Sequence, residues 1–557
     1  MAAAADAGDG LSRSATEIVR PPTCAIFAPM PTLYPTAALR RLESASLAAL
    51  PAGTLMARAA AAVADATAKL ARTLEPGRPV LALVGPGNNG GDAVLAALLL
   101  RERGYACKAL ALRPDRAPGG DAGEAWRRAR AAGLRLANME ALPELLAANP
   151  IVIDGLFGIG LDRPLDGDAK RLCDATAQAA LPVIAVDVPS GVDADTGALV
   201  GGPQAPAMHA LRTVTMIADK PGLHTGAALD CVGELSVATL GLDAQRIAFE
   251  RSALDELGTL FDAACAAAAW RPRTRDSNKG NFGTVLVFGG DTGMRGAPLL
   301  AARGAQAMGA GKVYVGTPHG EAFDPAQPHL MTARGSPDFA AYDAVVIGCG
   351  LGQGAVARQR VVDALASAPA LVLDADALSL VAAEPAMVGP GAAAAPPGAP
   401  TSAPSNTPAA SAAQARRVMT PHPLEAARLL GCSAVQVQAD RRAAAVALAR
   451  RFGMVVLLKG AGSIVATPGG AWTIVDEGAP ALASAGTGDV LAGMIGTLLA
   501  RGAPAAEAAC VAAWLHGRAG TRFELAHGHA EGLGAAELPA LLRDTLDELA
   551  LTAWRHR

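Results

Sequence analysis

The feature that most constrains this chain is a regular alternation of short apolar runs with longer stretches of helical spacing. Strands that alternate with helices in this way predict a parallel sheet covered by helices on both faces. In the first half, strands are predicted at residues 80–84, 107–112, 151–153, 183–186 and 213–217. The rhythm restarts further on, with strands predicted at residues 285–288, 312–315, 344–347, 371–373, 417–419 and 455–458.

The interruption between the two series predicts two α/β domains. A chain of 557 residues is also too long for one core, since single domains stop growing at roughly 250–300 residues. We predict a loose tail at 1–28, a Rossmann-like three-layer domain at 29–263 and a second α/β domain at 264–557. The stretch 242–269 is Ala-rich and predicts helix without a strand. Residues 389–415, almost wholly Ala, Pro, Ser, Gly and Thr, predict a disordered surface insertion.

Charge and composition favour a small-molecule enzyme of the cytoplasm. The formal net charge is -3, and no long basic run suggests nucleic acid or an anionic membrane as a partner. Apolar runs are broken before they reach the length of a membrane span. The eight cysteines show no CxxC or zinc spacing, which fits reduced thiols. We also expect a homo-oligomer, with a tetramer as the candidate form.

The first strand leads into the glycine turn GPGNNGGD at 85–92, which opens a helix near Ala93. Such a turn can present backbone N–H groups to a phosphate, and a GxGxxG pattern alone would suggest a dinucleotide-dependent dehydrogenase. However, Asn88, Asn89 and Asp92 add side-chain oxygens, and no clear acidic ribose ligand follows the second strand. The turn therefore predicts something beyond simple dinucleotide binding.

Two other strand ends carry oxygen donors: Asp154 after one strand, and Asp187 with Ser190 after the next. Because the carboxyl ends of neighbouring parallel strands meet in one crevice, these side chains are expected to face Asn89. Oxygen donors without Cys or His suit a hard cation, and the small number of carboxylates favours a monovalent ion.

These motifs closely resemble the NAD(P)H-hydrate epimerase family, with Ala93 in place of a usual glycine. The resemblance implies a potassium ion held by Asn89, Asp154 and Ser190, and Asp187 as the catalytic acid or base beside C6 of the hydrated nicotinamide. It also implies substrate contacts, which are Asn88, Asn89, Gly90, Gly91, Asp92, Gly158, Ile159, Gly160, Leu161, Asp162, Arg163, Pro164 and Asp187.

In the second half the sharpest signal is AGTGD at 485–489, at the start of an apolar helix. Small residues at a helix N-terminus form an anion hole for a phosphate, and the adjacent Asp489 can accept a hydroxyl proton. A plain helix cap is the simpler interpretation of the same residues. The pattern resembles the ribokinase-like fold, whereas no Walker A sequence is present.

Further motifs separate this half from ordinary small-molecule kinases: NKGNFG at 278–283, IGCGLG at 347–352, LDADA at 373–377 and TPHPLE at 420–425. Together they resemble the ADP-dependent NAD(P)H-hydrate dehydratase family over about residues 270–550. The resemblance implies Asp489 as catalytic base, ADP as co-substrate and a magnesium ion. It implies hydrate contacts at Ala297, Gly352, His422 and Asp489, and nucleotide contacts at Lys459, Gly460, Ala461, Gly462, Ser463 and Gly488.

Two departures from that pattern are Cys349, where proline is common, and Asp291, where serine is common. The combined resemblance implies repair of the hydrates NADHX and NADPHX: epimerisation of their R and S forms, and dehydration of the S form with ADP to give AMP and phosphate. The residues leave ADP against ATP, and NAD against NADP, open. Two rival functions also remain, a true small-molecule kinase in the second half and a cofactor-sensing protein without catalysis.

Overall fold

The computed structural model describes residues 30–242, 257–389 and 416–555. The predicted tail 1–28 lies outside these residues, as does the predicted insertion 389–415 except for Gly389. The strands are β1 (Thr32–Leu33), β2 (Val80–Val84), β3 (Cys107–Ala111), β4 (Leu136–Ala137), β5 (Ile151–Gly155), β6 (Val183–Val186), β7 (Arg212–Met216), β8 (Glu234–Ala238), β9 (Gly258–Phe261), β10 (Thr284–Phe288), β11 (Lys312–Gly316), β12 (Met331–Thr332), β13 (Ala344–Ile347), β14 (Leu371–Leu373), β15 (Arg417–Met419), β16 (Val455–Leu458), β17 (Ile464–Ala466) and β18 (Trp472–Val475).

The α-helices connect and cover these strands. In chain order they are Thr36–Leu47, Thr54–Ala71, Asn88–Glu102, Gly120–Ala131, Leu142–Ala147, Gly167–Gln178, Leu229–Val232, Ala263–Ala269, Gly296–Ala307, Ala355–Ser367, Asp376–Ala383, Pro423–Leu430, Ala434–Ala439, Arg441–Phe452, Thr487–Ala500, Ala505–His527 and Leu538–Arg555. Among the described residues, no helix combines the length and apolarity needed to span a bilayer.

The first sheet has seven strands in the order β4-β3-β2-β5-β6-β7-β8, and every neighbouring pair is parallel. The chain first moves outward from β2 to one edge and then returns to build the other side from β5. This reversal places a crevice at the carboxyl ends of β2 and β5, where open parallel sheets bind ligands.

Both faces of this sheet are buried because successive side chains of a strand point to opposite faces. Val80, Ala82 and Val84 join the core cluster under one layer of helices. Leu81 and Leu83 of the same strand join a second cluster on the opposite face. The continuous apolar run of β2 therefore fixes a three-layer domain.

The second sheet has eleven strands in the order β1-β9-β18-β17-β16-β15-β14-β13-β10-β11-β12. From β16 to β12 in this order, every neighbouring pair of strands is parallel. Strand β17 is antiparallel to both of its neighbours, β16 and β18. At the other edge, β9 is parallel to β18 and β1 is antiparallel to β9.

The segment around the predicted boundary differs from expectation. Residues 242–269 were expected to be helical, but β9 lies there and pairs with β18 of the second sheet. The boundary expected at 263 and 264 falls after β9, so the change of sheet comes earlier, before residue 258. Residues 243–256 lie outside the described residues. The second sheet also includes β1, which lies near the start of the described residues and pairs with β9.

The predicted helical stretch 37–74 is present as two helices, Thr36–Leu47 and Thr54–Ala71. Pro51 and Gly53 lie between them, and Gly53 has a φ of 76°, a left-handed conformation that glycine adopts without strain. The break turns the first helix back, so that Leu39 and Glu43 face the crevice of the first sheet.

Candidate active sites

The first site is a cavity of about 390 Å³ at the carboxyl edge of the first sheet. The turn after β2, the turn after β5 and the residue after β6 line its floor. The turns after β2 and β5 pack closely against each other. A Cβ on Gly85 would lie 1.8 Å from the carbonyl oxygen of Leu156, so only glycine fits at this position. The cavity is lined by Leu39, Glu43, Leu47, Leu55, Met56, Ala59, Pro86, Gly87, Asn88, Asn89, Asp92, Asp121, Leu156, Phe157, Gly158, Ile159, Gly160, Leu161, Asp187, Met216, Ile217, Lys220 and Leu240.

Asp187 is the central acid of this cavity. Its Oδ1 lies 2.8 Å from the Nζ of Lys220 and accepts a hydrogen bond from the Met216 amide at 3.0 Å. Lys220 is buried and also donates to the hydroxyl of Thr215 at 2.6 Å. Asp187 has a φ of 67°, which costs a non-glycine residue energy and is typical of functional positions. The fold therefore holds this carboxylate in one orientation at the cavity wall.

Two of the other acids that line the same cavity have raised pKa values. Burial first, and then repulsion by Asp187 and Glu43, raise the pKa of Asp92 well above its usual range. Burial and the charge of Asp187 also raise the pKa of Glu43. Asp92 therefore holds its proton more strongly than an exposed aspartate, and it lies beside the carboxylate of Asp187 that is paired with Lys220.

The predicted cation ligands lie together beneath this cavity. Ser190 donates through its hydroxyl to Asp154 Oδ1 at 2.7 Å, and its amide donates to Oδ2 at 2.8 Å. The Asn89 amide nitrogen donates to the carbonyl oxygens of Phe157 and Val186 at 3.0 and 2.8 Å. Burial raises the pKa of Asp154 to about 6, although hydrogen bonds from Ser190 oppose the shift. One carboxylate, one hydroxyl, one amide and a carbonyl form an oxygen-rich, buried cluster.

The second site surrounds the start of the helix Thr487–Ala500. Its N-cap, Gly486, has a φ of 87°, and Asp489 lies in the first turn. One ligand atom each from Cys349, Asp374 and Asp489 lies within 4.8 Å of the other two. Lys459 Nζ lies 2.8 Å from Asp374 Oδ1, which also accepts from the Thr420 hydroxyl at 2.8 Å. A thiol and a carboxylate from two strand ends thus lie close to a carboxylate from a helix start, and a lysine pairs with the strand-end carboxylate.

The electrostatics of this cluster set the protonation of Asp489. Burial, followed by repulsion from Asp374, raises the pKa of Asp489 to about 7. A hydrogen bond from the Cys349 thiol and the charge of Lys459 oppose this rise. Burial lowers the pKa of Lys459, but attraction by Asp374 and Glu425 outweighs burial and the net shift is upward. Lys459 is therefore a fixed cation, while Asp489 titrates near neutral pH.

The other predicted hydrate contacts approach the same region from neighbouring loops. The Gly352 amide donates to Asp376 Oδ2 at 2.9 Å. A Cβ on Gly352 would lie 2.3 Å from Asp291 Oδ2, and one on Gly350 would lie 3.2 Å from the Ala297 methyl. These contacts place Asp291 directly beside a predicted hydrate contact.

His422 has a structural task as well. Its Nδ1 accepts from the amides of Leu424 and Glu425 at 3.1 and 3.3 Å and caps the helix Pro423–Leu430. Burial and the nearby charge of Lys459 lower the pKa of this histidine. The lowered pKa favours the neutral imidazole, and Nε2 lies 3.5 Å from Glu425 Oε1.

The predicted nucleotide loop 459–463 follows β16 beside this cluster. Gly460 and Gly462 have φ values of 138° and 60°. A Cβ on Gly488 would lie 3.3 Å from Lys459 Nζ, so this loop meets the helix start. Alternating backbone of this kind directs successive N–H groups to one side, where they can receive an anion.

Comparison with known proteins identifies the family. A family model described as NAD(P)H-hydrate dehydratase matches residues 285–540, and one described as YjeF-related protein N-terminus matches residues 52–222. The bifunctional NAD(P)H-hydrate repair enzyme Nnr of Escherichia coli is 35% identical over 496 residues, covering 86% of this chain and 86% of that protein. The chain belongs to this family of bifunctional repair enzymes. The predicted pairing of an epimerase with a dehydratase is confirmed by that membership, and the predicted α/β class of both halves is confirmed by their two largely parallel sheets.

Other known proteins are also similar to this chain. The enzyme of the same name from Mycobacterium tuberculosis is 38% identical over 476 residues, covering 84% of this chain and 88% of that protein. Among solved structures, the ADP/ATP-dependent NAD(P)H-hydrate dehydratase of Bacillus subtilis, co-crystallised with ATP and Mg²⁺, is 28% identical with a TM-score of 0.42. The match covers 52% of this chain and 98% of that structure.

Only some of the residues predicted to contact the epimerase substrate line the cavity. Asn88, Asn89, Asp92, Gly158, Ile159, Gly160, Leu161 and Asp187 line the cavity. Gly90 and Gly91 are buried within the helix Asn88–Glu102, where a Cβ would meet Gly85 or Met56, so packing accounts for both glycines. Asp162, Arg163 and Pro164 are exposed and lie outside the lining residues.

Sequence reasoning missed Lys220, Glu43 and Asp374 as site residues. Lys220 follows β7 closely, and the strand-end pattern that singled out Asp187 would also have indicated it. Asp374 lies at the end of β14 within a motif that was recognised without a role. Glu43 comes from a helix, so no strand-end signal marks it.

The departures from the family patterns have different surroundings. Ala93 is fully buried, and its methyl group packs against Gly155, where a Cβ would lie only 2.3 Å away. Cys349 is also fully buried, and its thiol donates to Asp489. Ala93 therefore affects core packing, whereas Cys349 contacts the proposed base.

Proposed function

We propose that the first site epimerises C6 of NADHX and NADPHX, and that the second dehydrates the S form with ADP, giving reduced cofactor, AMP and phosphate. The observation that carries this proposal is the pair of separate acid clusters around Asp187 and Asp489, each in the half of the chain that matches the corresponding family. The predicted contacts of each site are part of the same proposal.

In the first site, Asp92 and Asp187 are suited to opposite proton transfers. Protonated Asp92 donates to the C6 hydroxyl, which leaves as water while the lone pair of the ring nitrogen N1 forms an N1=C6 iminium. Asp187 then takes a proton from a water that adds to C6 from the other face. Solvent returns that proton from Asp187 to Asp92, so no net proton is consumed.

The donor set beneath this cavity supports a potassium ion. Asn89, Asp154 and Ser190, with the Phe157 carbonyl, would hold it, because oxygen ligands with a single carboxylate suit a weakly hydrated monovalent cation. Asn89 directs its amide nitrogen at the Phe157 carbonyl, so rotation of that amide would present its oxygen instead. Such an ion would supply positive charge that favours ionised Asp154.

In the second site, Asp489 is placed to take the proton of the C6 hydroxyl. The hydroxyl oxygen attacks the β-phosphorus of ADP, and the bond to the bridging oxygen breaks to release AMP. Phosphate then leaves C6 with the C–O electron pair as the N1 lone pair forms the iminium, and transfer of a C5 proton to solvent water restores the C5=C6 double bond. Lys459 and the amides at the helix start stabilise the transferring phosphoryl group.

A magnesium ion also fits the second site. It binds proteins through one or two carboxylates together with substrate phosphates, and Asp374 is the carboxylate that would hold it, which leaves Asp489 as the base. Such an ion would neutralise charge on the phosphates.

We further propose that the enzyme is cytoplasmic and forms a homo-oligomer, with a tetramer as the candidate form. Light scattering of the purified protein would test this oligomeric state.

The decisive experiment gives the purified full chain a mixture of hydrate epimers with ADP or ATP and follows the absorbance of reduced cofactor. We expect recovery of both epimers, with epimer exchange independent of nucleotide. A stable phosphorylated product without recovered cofactor would instead indicate a kinase. Binding of hydrate without turnover of either epimer would indicate a sensing protein.

A further inference from the structure

The nucleotide loop of the second domain is held by a segment of the first domain. Thr225 donates through its hydroxyl toward the carbonyl oxygens of Gly462 at 2.9 Å and Ala461 at 3.1 Å. The Gly226 amide donates to the same Ala461 oxygen at 3.1 Å. Thr225 is 1% exposed, so these bonds lie in a buried contact between the two halves of the enzyme.

Arg441 completes this contact from the second domain. Its Nε donates to Thr225 Oγ1 at 3.1 Å, and one terminal nitrogen reaches the carbonyl oxygens of Lys459 and Gly462 at 3.3 and 3.5 Å. Arg441 is 1% exposed, and burial lowers its pKa to about 10, so it remains charged at neutral pH.

The loop has no room to shift toward this contact. A Cβ on Gly462 would lie 1.9 Å from the His224 carbonyl oxygen, and one on Gly460 would lie 2.7 Å from an Arg441 terminal nitrogen. Backbone of the first domain therefore packs directly on the loop.

The bonds divide the loop into two chemical sides. The carbonyl oxygens of Lys459, Ala461 and Gly462 accept from Thr225, Gly226 and Arg441. Within the described residues, the amides of Gly460, Ala461 and Gly462 have no acceptor. Orienting the carbonyls inward leaves these amides available for an anion such as a nucleotide phosphate.

We propose that Thr225 of the first domain is a positioning residue for nucleotide binding in the second domain, acting with Arg441 on the loop 459–463. The inference rests on the proposed nucleotide role of that loop. It predicts that a change in the epimerase half alters nucleotide affinity without altering epimerisation.

The test compares Thr225→Val, which keeps the shape but removes the hydroxyl, with Thr225→Ser, which keeps the hydroxyl. In the full chain, Val should raise the dehydratase KM for ADP and for ATP about tenfold, equivalent to about 1.4 kcal/mol. Its kcat, its KM for the hydrate and its epimerase rate should stay within about twofold of wild type. Ser should restore a KM close to wild type.

Asp476→Asn is the matched control. It weakens a different contact between the halves, the 3.2 Å bond of Asp476 to His224 Nδ1, without touching the loop carbonyls. It should leave the KM for nucleotide unchanged. A rise equal to that of Thr225→Val would assign the effect to the domain contact in general and overturn the specific role of Thr225.

Arg441→Lys provides a second variant should Thr225→Val fold poorly, because lysine cannot reach Thr225 and the loop carbonyls together. It should also raise the KM for nucleotide, and an unchanged KM in the folded variant would overturn the inference.

Lys459→Ala separates the proposed nucleotide role of the loop from the proposed role of Thr225. If it leaves the KM for nucleotide unchanged, the loop is not the nucleotide site and both fail; if it raises that KM while Thr225→Val does not, only the inference fails.

Discussion

Asp187 and Asp489 are the same residue type, one directly after a strand and the other in the first turn of a helix, and their surroundings differ. Asp187 lies in a buried ion pair with Lys220, and burial together with the charges of Asp187 and Glu43 raises the pKa of the separate acid Asp92 in the same cavity. Asp489 has no such exclusive cation, because Lys459 pairs with Asp374, and its own pKa rises to about 7. Under the proposed function, this difference divides proton donation and acceptance in the first site between two acids, whereas the second site relies on one acid whose pKa is about 7.

The largest effect is expected from Asp489→Asn, which removes the proposed base. Dehydratase kcat should fall about 10²–10⁴-fold, as is usual when general base catalysis is lost. Epimer exchange should continue at about the wild-type rate. Recovery of reduced cofactor and the epimer ratio by chromatography measure the two activities on one sample. Parallel loss of both would contradict two independent sites.

Asp187→Asn should produce the reverse pattern. Enzymatic epimer exchange should fall about 10²-fold or more, while pure S hydrate is still converted at the wild-type rate with ADP. A mixture of epimers would then be recovered rapidly only up to its S fraction. If this variant also slowed conversion of pure S hydrate, the assignment of Asp187 to the first site alone would be wrong.

The pH dependence of the two activities should differ in sign. Dehydration needs ionised Asp489, so its kcat/KM should rise with pH through about 7 and then level off. Epimerisation needs protonated Asp92, whose pKa is raised, so its rate should fall as pH rises above the pKa of that group. Cys349→Ala removes a hydrogen bond that favours ionised Asp489. This variant should therefore shift the rise of the dehydratase kcat/KM to higher pH. If both activities changed in the same direction with pH, the proposed difference between the two sites would be wrong.

The smallest effect concerns stability at the contact between the halves. Burial disfavours charged His224, but hydrogen bonds to Asp219 and Asp476 outweigh burial and raise its pKa from 6.5 to about 9. The charged form therefore stabilises the fold fully below pH 6.5, and this contribution is lost as pH rises through about 9. Such a shift corresponds to at most about 3 kcal/mol.

His224→Gln should accordingly lower Tm at pH 6 and have little effect above pH 9.5. Thermal unfolding of the full chain at both pH values measures the difference. A Tm deficit that is equal at the two pH values would show that packing, and not the charge of His224, provides the stabilisation.

Much of the fold could be predicted from the sequence because parallel strands buried on both faces leave continuous apolar runs. Every strand predicted from such a run is present in the structure, with ends that differ by at most two residues. Seven strands of the described residues were not predicted, and they differ in this signal: β17 and β18 are short buried runs that were overlooked, whereas β8 is exposed at three of its five positions. β1, β4 and β12 have two residues each, and β9 lies in an Ala-rich segment whose strand partner is more than 200 residues away.

The sites divide in the same way. Asp154, Asp187 and Ser190 were predictable because strand ends of a parallel sheet converge, and sequence order then implies spatial proximity. Glu43 was not, because the helix that carries it turns back at a break marked only by Pro51 and Gly53. Lys220 was missed because the strand-end argument was not continued past β7.

The sequence by itself determined the two α/β halves, their strand ends and the acids placed there, because these follow from local periodicity and chain direction. Only the tertiary structure decided the partner of each acid: Lys220 for Asp187, and Cys349 with Asp374 for Asp489. It also brought Thr225 to Arg441 across 216 positions of chain. The physical reason is that pKa and loop conformation depend on burial and on charges within a few ångströms, and packing between distant segments sets both.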